Sequence, residues 1–190
     1  YTASQLAAKL GNARGALEAI EKALKLQPGS PRWMLQKAGC LMRIGDTQAA
    51  RPIVEQLDKL DLDTAFQCSQ LALQLSRLEQ QERALHHYQR AIRLEPKQAE
   101  HYYNLATVHR FLGSFTAAEQ ALENAIRLNP GDFEAYKLRS DLGTQTPDSN
   151  HIASLQAALT NHSADHNAQV QLNFTLAKEY EDLDECCLLY

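Results

Sequence analysis

Residue types recur every 34 positions along this 190-residue chain, and no other feature restricts its fold as much. Stepping by that interval from Ala16 meets Ala50, Ala84 and Ala118; from Leu26 it meets Leu60, Leu94 and Leu128; from Leu10 it meets Ile44, Leu78 and Leu112. Two further registers are nearly complete. Pro28, Pro96 and Pro130 are interrupted only by Leu62, and Gly11, Gly45 and Gly113 only by Glu79. Columns that agree in phase mean that one supersecondary unit is repeated and stacked.

Each column has a physical reason for its place. The chain holds 27 Ala and 29 Leu against 6 Ile and 3 Val, which favours helix over sheet. Ala38, Ala72 and Ala106 then share a column in the first helix of each repeat, and Ala16, Ala50, Ala84 and Ala118 share one in the second. Helices approach closely only where side chains are small, so these columns mark the crossing inside each repeat. Leu71, Leu75, Tyr88 and Ile92 supply bulk around it. Glycine at the end of each first helix can take a left-handed C-cap conformation, and proline just past each second helix prevents its continuation. The expected fold is all-α, built from antiparallel helix pairs.

The residues resemble the tetratricopeptide repeat. The best copies are Cys68-x2-Leu71-Ala72-x2-Leu75 with Ala84-x3-Tyr88 and Pro96, and Tyr102-x2-Leu105-Ala106-x2-His109 with Ala118-x3-Leu122 and Pro130. The resemblance implies a right-handed superhelical solenoid. Its first helices line a concave groove that binds proteins or peptides, and its second helices form the back. Residues 1–142 read as four repeats plus the first helix of a fifth, at about Phe133 to Leu142, with Tyr136 in the column of Tyr102. The second repeat is the poorest copy, because Lys37 and Leu62 replace pattern residues and Pro52 falls inside its second helix, where it should bend the helix.

Residues 143–150 are a polar loop rich in turn formers, and residues 151–190 read as a degenerate helical continuation. Helices are expected from about His151 to Thr160, capped by Ser149 or Asn150, and from about His166 to Leu183, where Leu176, Ala177, Tyr180 and Leu183 recover first-helix columns. The chain stops inside what reads as the partner helix and starts at Tyr1 rather than Met, so the natural protein is expected to continue. The tail carries a second resemblance. Thr146 to Ile152 and Leu172 to Glu185 look like the segment following the repeats in bacterial proteins that join tetratricopeptide repeats to a sulfotransferase domain. That family implies phosphoadenosine phosphosulfate as cofactor of a domain beyond residue 190. These 190 residues contain no phosphate-cradling Gly-rich loop, so no cofactor and no catalytic residue is expected in this chain.

Other chemistry is weighed and set aside. Cys40 and Cys68 are expected to be buried thiols; the vicinal Cys186 and Cys187 lack a basic neighbour that would make them reactive. Adjacent His86 and His87 diverge by about 100° on a helix and are read as solvated, and His109 as core or rim. His162 and His166 are separated by Ser-Ala-Asp, which reads as a loop ending in an N-cap, so no metal is expected. The acidic run Glu179, Glu181, Asp182, Asp184 and Glu185 is read as a solvated helix end.

Function must then come from a surface. With 19 basic and 23 acidic residues the chain has a net charge of -4, which argues against nucleic acid, and it has no apolar run of about 18 residues to cross a membrane. A cytoplasmic location is expected. Projecting the repeat onto its helices directs Gln36, Arg43, Gln70, Arg77, Tyr103, Asn104, Thr107, Arg110 and Lys137 into the groove. This set has cations, amides and an aromatic but no carboxylate, which predicts an acidic peptide as partner. Family members that clamp chaperone C-terminal tails use Lys and Asn in one first helix, Asn in the next and Lys and Arg in the third. The corresponding places are held here by Leu35 and Gly39, Gln70, and Glu100 and Asn104, or one repeat earlier by Tyr1 and Gln5, Gln36, and Phe66 and Gln70, so neither window supplies the cations. Chaperone tails are therefore not expected as ligands. The competing expectations are an arm that recruits substrate to a sulfotransferase, and a structural self-association module.

Overall fold

A computed structural model describes residues 13–184. Among them are ten α-helices and no strand: α1 (Ala13–Leu26), α2 (Pro31–Arg43), α3 (Thr47–Asp58), α4 (Ala65–Arg77), α5 (Gln81–Leu94), α6 (Ala99–Phe111), α7 (Phe115–Leu128), α8 (Phe133–Ser140), α9 (Ile152–Asn161) and α10 (His166–Asp182). Leu10, Gly11, Cys186 and Cys187 lie outside the described residues. The chain forms two compact units, Tyr1–Pro96 and Lys97–Tyr190.

In the N-terminal unit α2 pairs with α3 and α4 with α5, and α2 also packs on α4. The alanine columns sit at these crossings: Ala16, Ala38, Ala50, Ala72 and Ala84 are all fully buried. Leu71, Leu75 and Tyr88 fill the space around them, while α1 adds Ala16 and Ile20 to a cluster with Cys40. The first helices end as the glycine column requires. Gly45 has φ of 83° and the following Asp46 N–H reaches back to the Leu41 carbonyl at 2.9 Å, which closes the helix end. Asp46 then caps α3 through its carboxylate, 3.0 Å from Ala49 N, and Thr64 caps α4, its Oγ1 3.2 Å from Gln67 N.

The breaks in the period have physical answers too. Glu79 occupies the glycine position and adopts the same left-handed backbone, with φ of 63° and the same return bond from Gln80 N to Leu75 O at 3.0 Å. Leu62, in the proline column, is fully buried, and its carbonyl accepts from Cys68 Sγ at 3.8 Å. Lys37 pairs with Glu21 on α1 at 3.1 Å. Pro52 lies on the exposed side of α3, and the helix runs through it.

The C-terminal unit keeps the repeat through α6, α7 and α8. Ala106, Ala118, Ala121, Leu122, Ala125 and Ala135 form one core cluster; Phe133, Tyr136, Leu155, Ala158, Ala168, Leu172 and Leu176 form the next. Gly113, with φ of 71°, ends α6. Beyond Ser140 the helix stops short of the expected Leu142, and α9 begins at Ile152 rather than His151, with the Asn150 side-chain Oδ1 accepting from Ile152 N at 3.3 Å. The buried face of α10 is Ala168, Leu172, Thr175, Leu176 and Glu179, one position off the expected Ala177, Tyr180 and Leu183, which are half-buried.

Candidate functional site

Helices α1, α2 and α4 enclose a groove of about 240 Å³ in the N-terminal unit. Gln36 and Arg43 reach it from α2, Gln70 and Arg77 from α4. Both pairs are seven residues apart, two helical turns, so each pair shares a face, and the 34-residue period brings the two faces together. Arg32 and Phe66 extend the two stripes by one turn towards the helix N-termini, and Gly39, Leu73 and Gln74 form the floor between. Sequence projection missed these five, although Arg32, Gln36, Gly39 and Arg43 follow the i, i+4, i+7, i+11 spacing that marks one helix face.

The groove is basic. Among the described residues that line it are three arginines, three glutamines and no carboxylate. Arg77 is exposed and makes no hydrogen bond or ion pair among the described residues. Second helices also carry ion pairs across neighbouring repeats. Arg83 on α5 holds Glu55 on α3 with both arms of its fork, at 2.9 and 3.0 Å, and its Nε donates to Asp58 at 3.1 Å. Hydrogen bonding from Arg83 lowers the Glu55 pKa; at Asp58 burial acts upwards but bonds from Arg83 and His87 outweigh it.

His87 itself corrects an expectation, because it is buried rather than solvated, with Nε2 2.6 Å from Asp58 Oδ1. Its Nδ1 has no partner, so a neutral imidazole donating from Nε2 satisfies the site, and burial lowers its pKa. Cys40 and Cys68 are buried free thiols whose pKa values burial raises.

The candidates in the C-terminal unit are dispersed. Tyr103 lines a groove with Lys97, Glu100 and Asp132, and burial, with Glu134 and Asp132 nearby, raises its pKa. Lys137 lines a different groove with Glu134, Asp141, Phe174 and Lys178. Asn104 is half-buried, Thr107 turns its hydroxyl back to the Tyr103 carbonyl at 3.2 Å, and the exposed Arg110 guanidinium lies 5.6 Å from the Phe111 ring centroid. Both of these grooves contain carboxylates as well as cations. The uniformly basic inner face expected from the candidate residues alone is therefore not present in this unit.

The acidic run at the end of α10 is solvated only in part: Glu181 and Asp184 are exposed, Glu179 and Asp182 are not, and Glu185 lies outside the described residues. Glu179 is fully buried, accepting from the Ser140 hydroxyl, from His151 N at 2.6 Å and from His151 Nδ1 at 3.0 Å, while His151 Nε2 lies 3.0 Å from Glu119. Burial acts to raise the Glu179 pKa, but these bonds hold it below the ordinary value. Next to it Lys178 Nζ donates to the Gly143 carbonyl at 2.8 Å and to Asp182 at 2.6 Å, and Asp182 accepts from Gln145 N at 2.8 Å. Side chains of the tail thus fasten the 143–150 loop to α10. Among the described residues no group of three His, Cys, Asp or Glu could hold a metal ion, and no helix is long and apolar enough to cross a membrane.

Models of the tetratricopeptide repeat match residues 7–74, 70–133 and 103–148. A search of curated proteins finds no match. Among solved structures, pilF of Pseudomonas aeruginosa is similar at a TM-score of 0.72 and 18% identity, over 98% of this chain and 85% of that one. MamA of Desulfovibrio magneticus gives 0.65 at 16% identity, over 94% and 92%. YrrB, described as having an unusual peptide-binding site, gives 0.60 at 15% identity, over 97% and 87%. At these identities the likeness shows the fold. The tail's resemblance to sulfotransferase-linked proteins has no counterpart in these matches. The helix pairs, their alanine crossings and the matched repeats place this chain in the tetratricopeptide-repeat family, an all-α solenoid scaffold.

Proposed function

We propose that this chain is a noncatalytic scaffold that recruits or orients a protein partner by holding an acidic peptide segment in the groove between α2 and α4. One observation carries the proposal: among the described residues, three arginines and no carboxylate line that groove in a chain whose net charge is -4. A charge distribution of this kind steers acidic ligands to one place and repels them elsewhere. Arginine forks suit carboxylates, and the glutamines can exchange hydrogen bonds with a peptide backbone. Tetratricopeptide repeats bind proteins or peptides, and most of the groove's lining comes from the first helices α2 and α4.

Fluorescence anisotropy with a labelled peptide library of graded acidity tests this directly. Acidic peptides should bind the wild-type chain, more weakly as salt rises, and binding should fall at least tenfold when Arg43 and Arg77 are both replaced by Ala. Equal binding of acidic and basic peptides would refute the proposal.

A further inference from the structure

The groove holds a second, independent indication of its ligand. Gln74 is only 2% exposed, yet its side-chain Oε1 has no hydrogen-bond partner. Buried amides are almost always satisfied, and an orphaned one is costly. Facing it is Gly39, where a Cβ would stand 3.6 Å from Gln74 Nε2 with nothing else among the described residues within 4 Å. Glycine is a poor choice inside α2, since any other residue but proline would favour the helix more. With no side chain at this position, α2 leaves the Nε2 edge of the Gln74 amide facing the groove. A peptide backbone passing over Gly39 can bring a carbonyl to Nε2 while its side chains reach the arginines.

The ends of the groove differ in chemistry. Arg43 and Arg77 occupy equivalent positions of successive repeats at the C-terminal ends of α2 and α4. At the other end stand Arg32 and its repeat equivalent Phe66, which is 61% exposed. Arg32 and Arg43 are eleven residues apart on one helix, about 16 Å along its axis at a rise of about 1.5 Å per residue. Extended chain covers about 3.3 Å per residue, so about five residues bridge the two ends.

Resting on the proposal that the groove binds acidic peptides, we infer that its ligand is an extended segment with an acidic residue and a large apolar residue about five positions apart. The acidic side chain lies on Arg43 and Arg77, the apolar one against Phe66, and the backbone between them crosses Gly39 within reach of the Gln74 amide.

The experiment is a set of labelled peptides carrying one pair of Glu residues and one Leu at separations from one to nine, measured by anisotropy against the wild-type chain, Gly39→Leu and Phe66→Ala. Affinity should peak at a separation near five and be at least tenfold weaker at a separation of two. Gly39→Leu should weaken the best peptide at least tenfold while its thermal midpoint stays at or above that of the wild type, since Leu favours the helix. Phe66→Ala should flatten the dependence on separation yet leave the requirement for Glu. Binding that grows with Glu count regardless of separation, and that Gly39→Leu leaves unchanged, would overturn the spacing inference while leaving the acidic-peptide proposal standing. Binding by none of the acidic peptides would overturn both.

Discussion

The two units are built on one repeat and use it differently. In the N-terminal unit the first helices present a basic groove with no carboxylate among its described lining residues, and on the second helices Arg83 ties Glu55 and Asp58 together. In the C-terminal unit the grooves of Tyr103 and Lys137 mix both signs, and the most elaborate polar network is internal, centred on the buried Glu179. The alanine crossings are equally buried in both units. What separates a candidate binding unit from a unit that braces its own tail is therefore the residues between the repeat columns. Fold and site are written in different positions of the same 34-residue unit.

The largest expected effect breaks the C-terminal unit alone. Glu179→Ala strips the partners from Ser140 and His151 at a fully buried position, and should cost about 2 to 4 kcal/mol. The single tryptophan, Trp33, lies in the N-terminal unit and serves as its reporter. Far-ultraviolet circular dichroism should show an early loss of helix in Glu179→Ala, with the change in Trp33 fluorescence lagging behind it; coincident shifts would mean that the two units melt as one. Acid should act in the same place. Because the folded-state pKa of Glu179 is lowered, the stability it contributes is complete above its unfolded value and is lost as pH falls below about 4.3. In Glu179→Gln the early loss of helix on acidification should be diminished, leaving the acid sensitivity of Asp58 and Glu55 in the other unit.

Overfilling a crossing should be felt in either unit. Ala84→Leu and Ala118→Leu each insert bulk at a fully buried position and should cost about 1 to 3 kcal/mol, read as a lowered urea midpoint. The comparison sharpens when binding is measured instead. Arg43→Ala with Arg77→Ala should weaken capture of an acidic peptide at least tenfold, about 1.4 kcal/mol, whereas Arg110→Ala with Lys137→Ala should change it less than twofold. Equal losses in the two double variants would mean that the binding surface is not confined to the N-terminal unit.

The sequence made the helix pairs legible because a stacked repeat imposes the same steric demand at fixed intervals, and the small Ala columns report that demand directly. Regularity alone is a weaker guide. Leu26, Leu60 and Leu94 form as perfect a column as the alanines and are exposed. The groove stripe of Gln36, Arg43, Gln70 and Arg77 could be projected from helical period, but Gly39 and Gln74 could not be singled out, because their meaning depends on an amide of one helix facing a missing side chain on its neighbour. Outside the period, projection failed. Glu179 and Asp182 read as solvent-exposed acids, but Ser140 and His151, which flank the 143–150 loop, bond Glu179, and Gln145 within it bonds Asp182; such long-range polar pairing leaves no local signature.

The smallest expected effect exchanges the residue that takes the left-handed backbone at the ends of α4 and α6. Glu79 and Gly113 are equivalent, have φ of 63° and 71°, and are followed by the same return hydrogen bond, Gln80 N to Leu75 O at 3.0 Å and Ser114 N to His109 O at 2.9 Å. A Cβ at Gly113 would meet nothing within 4 Å, so crowding does not enter and only the backbone preference is at stake. Glycine adopts the left-handed region without the clash that a Cβ brings, although it has more freedom to lose on folding. Glu79→Gly should therefore stabilise the N-terminal unit by about 0.5 to 1 kcal/mol, and Gly113→Glu should destabilise the C-terminal unit by a similar amount. Denaturant midpoints of the two variants should move in opposite directions while both retain the peptide affinity of the wild type. A shift of the same sign in both would show that the Glu79 side chain contributes more at the end of α4 than its backbone strain removes.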